Sequence, residues 1–227
     1  MSDYWNFFWN NNPILQNESS LVKVQRSLNG KPIDKNIWKQ MVEFVLYQLD
    51  IHSESNVLDL CSGNGTFSVP ISEIAQRVLS VDISKILIDE LENYKIRNIE
   101  TKLMDVNKFD SVEIFSHAII MGSIQYFSEK EVLILLEKIY SNLKQEGVFY
   151  IGSIPDRLKL WNFASTKYYE SLYFENLKKD TPAIGTWFVK DDLVKMSEYV
   201  GFSKIEIIDL PDWMHDARCR FDMKLTK

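Results

Sequence analysis

The chain has 227 residues, of which 45% are hydrophobic and 26% are charged, and its formal net charge is −6. This length and apolar content suffice for one domain with a full hydrophobic core. A net negative charge without a broad basic face argues against nucleic acid as a partner. No apolar run reaches the roughly 18–20 residues that span a bilayer, so no membrane partner is expected.

The amino terminus carries no targeting signal that we can identify. Residues Met1–Asn6 contain neither a basic region nor an apolar stretch, unlike a secretory signal. The two cysteines, Cys61 and Cys219, do not make a disulfide framework. A cytoplasmic location is therefore expected, and a homodimer is left open.

Residues 1–50 are predicted to form an amino-terminal extension, or lid, ahead of a main domain at residues 51–227. Aromatic side chains crowd the first twelve residues, which show no helical or strand period. Residues 36–49 have apolar side chains at helical spacing, and Asp34 is the expected cap of that helix.

The most informative segment is Val57–Ser68, which predicts a buried strand, a glycine turn and the start of a helix. Asp59 closes the strand, and Gly63 and Gly65 let the backbone approach a ligand closely. This arrangement predicts a nucleotide-like cofactor at the carboxyl end of the first strand of a doubly wound sheet.

The turn departs from the dinucleotide-binding pattern G-x-G-x-x-G/A. Where that pattern has its final Gly or Ala, this chain has Ser68, preceded by Phe67. Asp59 also lies just ahead of Gly63, where a carboxylate suits an ammonium group and repels a pyrophosphate. A nicotinamide-dependent oxidoreductase is therefore the disfavoured alternative.

Two further strands are predicted to end in acids. The strand at residues 77–81 ends at Asp82, which can accept hydrogen bonds from both ribose hydroxyls, and the next residue, Ile83, can pack against an adenine. Ser84 is the expected cap of a helix over residues 85–94. The strand at residues 99–104 ends at Asp105.

The carboxyl-terminal half continues the alternation of strands and helices. A fourth strand at residues 118–121 leads to a helix that begins with a capping box at Ser128, and a fifth strand follows at residues 148–151. The aromatic-rich residues 154–190 are predicted to be an insertion over the substrate end of the sheet. A helix at residues 191–200, ended by Gly201, and strands at residues 204–210 and 218–227 complete the chain.

Residues 51–227 resemble the class I S-adenosylmethionine (SAM)-dependent methyltransferases, on the strength of Asp59, Gly63, Gly65, Asp82 and Asp105. The resemblance implies an α/β fold with a Rossmann-like, doubly wound, seven-stranded sheet. That sheet is mostly parallel, with an antiparallel last strand and helices on both faces. Cys61 stands where the family usually has a glycine.

The resemblance also implies SAM as the cofactor and S-adenosylhomocysteine (SAH) as the product. Ten residues are predicted to contact the cofactor: Asp59, Cys61, Gly63, Asn64, Gly65, Asp82, Ile83, Asp105, Val106 and Met121.

A looser similarity concerns the acceptor. Residues 24–27 and 30–33, with the ending at residues 220–222, are similar to small bacterial methyltransferases found with polysaccharide biosynthesis. This implies a small-molecule acceptor, such as a sugar hydroxyl. Gln25 and Arg26 either reach the SAM carboxylate or form a surface loop.

An oxygen acceptor usually requires a base. Of the three histidines, only His215 is predicted to lie near the carboxyl ends of the strands, and Asp156 and Tyr126 are the other catalytic candidates. No pair of histidines or carboxylates has metal-ligand spacing, so no metal is expected. A SAM-binding protein without catalysis remains an alternative.

Overall fold

The structure is a computed structural model that describes residues 3–28, 30–179, 181 and 184–227. Its strands are β1 (Ser27–Leu28), β2 (Lys31–Pro32), β3 (Asn56–Leu60), β4 (Arg77–Asp82), β5 (Ile99–Leu103), β6 (Phe115–Met121), β7 (Leu143–Pro155), β8 (Lys204–Asp209) and β9 (Arg220–Thr226). Its α-helices are α1 (Asp3–Asn11), α2 (Ser20–Lys23), α3 (Lys35–Leu49), α4 (Ser68–Ser72), α5 (Lys85–Glu92), α6 (Glu129–Asn142), α7 (Leu160–Phe163), α8 (Lys167–Lys178) and α9 (Lys190–Val200). Short 3-10 helices lie at Pro13–Gln16, Val106–Lys108, Ile124–Tyr126, Arg157–Lys159 and His215–Arg218.

Seven strands form one sheet in the order β5-β4-β3-β6-β7-β9-β8, and β1 and β2 form a separate antiparallel pair. Within the large sheet β9 is antiparallel to both of its neighbours, and the other pairings are parallel. The predicted seven-stranded, mostly parallel sheet is thereby confirmed. Its strand order reverses between β3 and β6, where open α/β sheets bind ligands at their carboxyl edge.

Alternating side chains of the buried strands supply the two layers of the core. In β3, Leu58 and Leu60 pack with the cluster that contains residues of α5, α6 and α9, whereas Val57 packs with the cluster that contains residues of α3 and α4. Helices therefore cover both faces, as the sequence predicts. Each such leucine or valine, fully withdrawn from water, contributes about 1.5–3 kcal/mol.

Helix α3 belongs to the layered core and not to a separate extension. Val45 and Leu49 are buried in the same cluster as Val57 of β3. As predicted, Asp34 caps the helix, because its carboxylate accepts hydrogen bonds from the backbone N–H groups of residues 36 and 37.

The expectation that the first twelve residues lack a helical period is wrong for residues 3–11. They form α1, which buries Trp5 and Trp9, one helical turn apart, in the main hydrophobic cluster. The aromatic side chains of Tyr4 and Phe7 remain exposed and obscure this stripe in the sequence. Removing residues 1–30 would expose that buried surface, so the segment contributes to the fold.

Most of the helix caps predicted from the sequence are present in the structure. The capping box of α6 is formed between Ser128 and Glu131, and Gly201 caps α9. Helix α6 ends at Asn142, and β7 takes up the residues that follow, which makes this strand 13 residues long. Ser84 is an exception, because its side chain makes no cap hydrogen bond.

The aromatic-rich insertion contains α7 and α8 and follows the carboxyl end of β7. No helix in the described part of the chain is both long and apolar enough to cross a membrane.

Candidate active site

A cavity of about 130 Å³ lies at the carboxyl ends of β3, β4 and β6. Its roof contains Trp9 of α1 and the segment that follows α2. The cavity brings together seven residues that the sequence predicted for the site: Asp59, Cys61, Gly63, Asp82, Ile83, Met121 and Tyr126.

The carboxylate of Asp59 is buried beside polar side chains. Its side chain is 2% exposed and accepts a 2.5 Å hydrogen bond from Ser68 Oγ, which in turn accepts one from Ser80 Oγ at 2.8 Å. Burial raises the pKa of Asp59 to about 7, opposed by the Ser68 bond and reinforced by the nearby Asp82. A cation beside this carboxylate would therefore stabilise its charged form.

Asp82 is held by two backbone groups. Its oxygens accept 2.8 Å hydrogen bonds from the N–H groups of Gly63 and Ser84, so the carboxylate also closes the turn after β3. Burial raises its pKa, and these bonds oppose the rise. Each carboxylate oxygen retains acceptor capacity for a ligand that donates hydrogen bonds.

Cys61 lines the cavity with a backbone φ of 55°, in the left-handed region where the family usually has glycine. Burial raises the pKa of its thiol well above the ordinary value, and the carboxylates of Asp82 and Asp59 add to the rise. The thiol is therefore protonated at neutral pH and is not a nucleophile.

Two predicted cofactor contacts in the turn lie outside the cavity wall and remain predictions from the sequence. Asn64 does not line the cavity, because its side-chain amide donates 3.0 Å hydrogen bonds to Ser20 O and to Glu90 Oε1. Gly65 also lies outside the wall. Its φ is 82°, and a Cβ there would collide with Leu91 of α5, so this glycine permits the close packing of that helix.

The two residues after β5 are also outside the cavity wall. Asp105 accepts a hydrogen bond from the N–H of Asn107 and caps the short helix that follows. Val106 is 1% exposed and belongs to the main hydrophobic cluster. A cofactor contact at either residue remains a prediction from the sequence.

Arg26 enters the cavity from the amino-terminal segment, and the adjacent Gln25 lines the rim. The guanidinium lies 3.4 Å from the carbonyl oxygen of Met121 and 3.8 Å from Asp216. A Cβ on Gly122 would approach the guanidinium to 2.5 Å, so this glycine makes room for it. Burial lowers the pKa of Arg26, and Asp216 opposes the shift.

Three further polar residues line the cavity and were not predicted as site residues from the sequence: Ser153, Asp216 and Arg220. Ser153 Oγ donates to Asp216 at 3.0 Å, and Arg220 donates to Ser153 O at 2.5 Å. Burial raises the pKa of Asp216, but His215, Arg220 and Arg26 outweigh burial and hold this pKa well below its usual range.

The catalytic candidates separate into one inside the cavity and two outside it. The His215 side chain is 49% exposed, and its ring lies against Asp216 rather than in the cavity wall. Asp156 is buried and caps a short helix by accepting from the N–H of Leu158, again outside the wall. Tyr126 lines the cavity, and burial raises the pKa of its hydroxyl well above the ordinary value, so it donates hydrogen bonds and is a poor base.

His215→Ala is therefore expected to leave turnover nearly unchanged, because its imidazole stands outside the cavity. Loss of a general base would instead cost roughly 10²–10⁴-fold. Steady-state SAH formation measures the effect, with Tyr126→Phe, which removes a hydroxyl from the cavity wall, as the comparison. A loss of that size for His215→Ala, at unchanged SAM affinity, would restore histidine as the base.

Residues 57–147 match a family described as "Methyltransferase domain". This match supports the resemblance to methyltransferases over residues that include β4, β5, β6 and α6 and part of the cavity wall. An uncharacterized protein of Haemophilus influenzae is 29% identical over 85 residues, which cover 37% of this chain. The chain spans only 30% of that relative's length.

Solved structures share the fold at low identity. Phosphoethanolamine N-methyltransferase 1 of Haemonchus contortus, solved with phosphoethanolamine and SAH, has a TM-score of 0.73 and 14% identity. The match covers 99% of this chain and 48% of that one. The N-methyltransferase NodS from Bradyrhizobium japonicum has a TM-score of 0.62 and 13% identity, and 86% and 98% of the two chains are covered.

Proposed function

Because residues 57–147 match a methyltransferase domain, we propose that this protein transfers the methyl group of SAM to a small-molecule acceptor. The observation that carries the proposal is the pair of buried carboxylates, Asp59 and Asp82, at the tips of adjacent strands in one cavity. The nearby guanidinium of Arg26 supplies the opposite charge.

The residues of the cavity fit SAM by charge and by hydrogen bonding. Asp59 would hold the ammonium group, which stabilises the charged form of a carboxylate whose pKa burial has raised. Asp82 would accept from the ribose hydroxyls, and Arg26 would pair with the carboxylate. Ser62 supports the fit, because its buried hydroxyl lines the cavity and has no partner among the described residues.

The cofactor cavity is small for a ligand of this size, because its 130 Å³ is below the roughly 300–1,000 Å³ of typical ligand pockets. The segment around α2 is held to α5 by Glu90, which binds Ser20 and forms a 2.7 Å ion pair with Lys23. We infer that this contact opens and closes with cofactor exchange.

Bound SAM supplies a methyl group that is already activated by its positive sulfur. The protein then has to position the acceptor, and orientation of two reactants can supply up to roughly 7–11 kcal/mol. Tyr126, Ser153 and Arg220 also line the cavity and would orient the acceptor by donating hydrogen bonds. Asp216 is ionised there and, with its low pKa, is a weak base.

The sugar hydroxyl predicted from the sequence is one acceptor to be tested. The experiment measures SAH formation by the full chain with SAM and a panel of hydroxyl, amine and carboxylate acceptors. Turnover with any of them supports methyl transfer, and the active class identifies the atom that is methylated. If SAM binds and no acceptor is turned over, the protein binds SAM without catalysing transfer.

The affinity for SAM is expected to fall by roughly eightfold between pH 7.5 and pH 6. In the free protein Asp59 has a pKa of about 7, so it gains a proton over this range and loses the charge that holds the ammonium. Calorimetry at the two pH values, in buffers of different ionisation enthalpy, should show a proton released on binding at pH 6.

Asp59→Asn is the matched control, since it keeps the shape and removes the titration. The variant should bind SAM weakly at both pH values, without proton release. The native state of the free protein holds the Asp59 proton up to about pH 7, whereas the unfolded chain releases it near pH 4. The stability contributed by this group is therefore lost as pH rises from about 4 to 7. If SAM affinity depends on pH in Asp59→Asn as it does in the wild type, then Asp59 is not the group that holds the ammonium.

A further inference from the structure

A second groove, of about 320 Å³, lies in the aromatic-rich insertion and is separate from the cofactor cavity. One wall is helix α8, which has no buried residue along its 12 positions. Its residues Tyr169, Leu172, Tyr173 and Asn176 follow one another at helical spacing and line the groove. A helix normally packs such a stripe against protein, so this helix presents to the groove a surface of the kind that fills a core.

The opposite wall is tied to the sheet. Phe163 and Trp187 lie 5.7 Å apart between ring centroids and form its apolar surface. The backbone N–H of Arg157 donates to Phe188 O at 2.8 Å, and Phe188 N–H donates to Pro155 O at 2.9 Å. This wall is therefore fixed to the carboxyl end of β7, at the same edge of the sheet as the cofactor cavity.

The two cavities share a partition. Gly185 lines the groove, and the next residue, Thr186, donates from its backbone N–H to Gln125 O at 2.8 Å. Gln125 lines the cofactor cavity, and its side-chain oxygen is buried with no partner in the described part of the chain. The backbone contact between Thr186 and Gln125 therefore joins the wall of the groove to the wall of the cofactor cavity.

The positive charge of Arg157 indicates what kind of ligand the groove would bind. Arg157 is the one charged side chain among the described lining residues, and no carboxylate of the described chain lies within ion-pair distance of it. A guanidinium beside aromatic rings suits an anion attached to an apolar body.

We propose that this groove binds the apolar part of the methyl acceptor, and that the acceptor is a small amphipathic anion: an aromatic ring or short hydrocarbon chain joined to an anionic group. The proposal rests on the proposed function and names its substrate class. Arg157 pairs with the anionic group, the stripe of α8 covers the apolar body, and the reactive end reaches past Gln125 toward the cofactor.

The test uses the full chain and the fluorescent probe 1-anilinonaphthalene-8-sulfonate, which is an aromatic anion, with octanoate as a competitor. The wild type should bind one probe molecule, and octanoate should displace it. Leu172→Trp, which fills the groove, and Arg157→Gln should each weaken probe binding by tenfold or more. Tyr168→Trp, on α8 but outside the groove, and Lys159→Gln are the matched controls and should leave it unchanged.

Near-ultraviolet circular dichroism and SAH titration establish that each variant is folded and binds cofactor. No probe binding by a wild type that binds SAH would overturn the groove assignment and leave the methyltransferase assignment standing. Equal loss of probe binding in Leu172→Trp and Tyr168→Trp would also overturn the groove assignment. So would loss of probe binding when the chain self-associates at high concentration, because a second copy would then cover the groove. Probe binding without SAH binding would instead contradict the proposed function alone. In the acceptor panel, turnover restricted to neutral sugars or free amines would contradict the substrate class.

Discussion

Asp82→Ala is expected to weaken the binding of SAM and SAH by about 1–3 kcal/mol, roughly 5- to 150-fold. The carboxylate closes the turn through Gly63 and Ser84 and would accept bonds from both ribose hydroxyls. Its removal deletes the ligand contacts and leaves two backbone N–H groups of the turn without their acceptor. Isothermal titration calorimetry with SAH measures the loss.

Two variants separate ligand contacts from effects on the turn. Asp82→Asn keeps a side-chain acceptor for the backbone, so it should preserve more of the thermal stability than alanine while still losing affinity. Asp89→Ala removes an exposed carboxylate from α5 and should bind SAH like the wild type. Wild-type affinity in both Asp82 variants would show that this acid does not contact the cofactor.

Trp9→Ala is expected to lower the free energy of unfolding by about 3–5 kcal/mol, in the range for buried tryptophan. Trp9 is buried in the main hydrophobic cluster, and its ring centroid lies 5.7 Å from that of Tyr126. Because Trp9 also lines the cofactor cavity, SAH affinity should fall as well. Urea denaturation and calorimetry measure the two effects.

Phe7→Ala is the control on the same helix, since Phe7 is 69% exposed. Its free energy of unfolding should stay within about 0.5 kcal/mol of the wild type. If both variants are equally stable and bind SAH equally well, then α1 does not cover the cofactor cavity in solution.

The two acidic strand ends were predictable because β3 and β4 are short, mostly apolar strands with Asp59 and Asp82 at or near their carboxyl ends. Asp59 and Asp82 end adjacent parallel strands, and the register that pairs Asp59 with Ser80 brings their tips to one edge. Local pattern and one topological rule were therefore enough to place the two acids together.

Packing separates residues that the sequence pattern does not distinguish. Gly63 lines the cavity, whereas Leu91 of α5 packs against Gly65. The Asn64 side chain joins α2 to α5 through Glu90, and the contacts of Asn64 and Gly65 with the cofactor stay predictions. These outcomes depend on which helix lies over the turn, and no local signal carries that information.

The acceptor end of the site required tertiary structure. His215 was predicted as the base because it is the only histidine expected near the carboxyl ends of the strands, yet its neighbour Asp216 is the residue that lines the cavity. The short helix at His215–Arg218 sets which of the two side chains points inward. Arg220 and Ser153 join Asp216 from strands β9 and β7, which are far apart in the sequence and paired in the sheet.

The central claim is that the turn after β3 binds SAM. Calorimetric titration of the folded full chain with SAH, and separately with NADH, tests it most directly. We expect saturable binding of one SAH per chain, lost or strongly weakened in Asp82→Ala, and no binding of NADH. Heat from NADH with none from SAH would contradict it, and would favour a nicotinamide-dependent oxidoreductase.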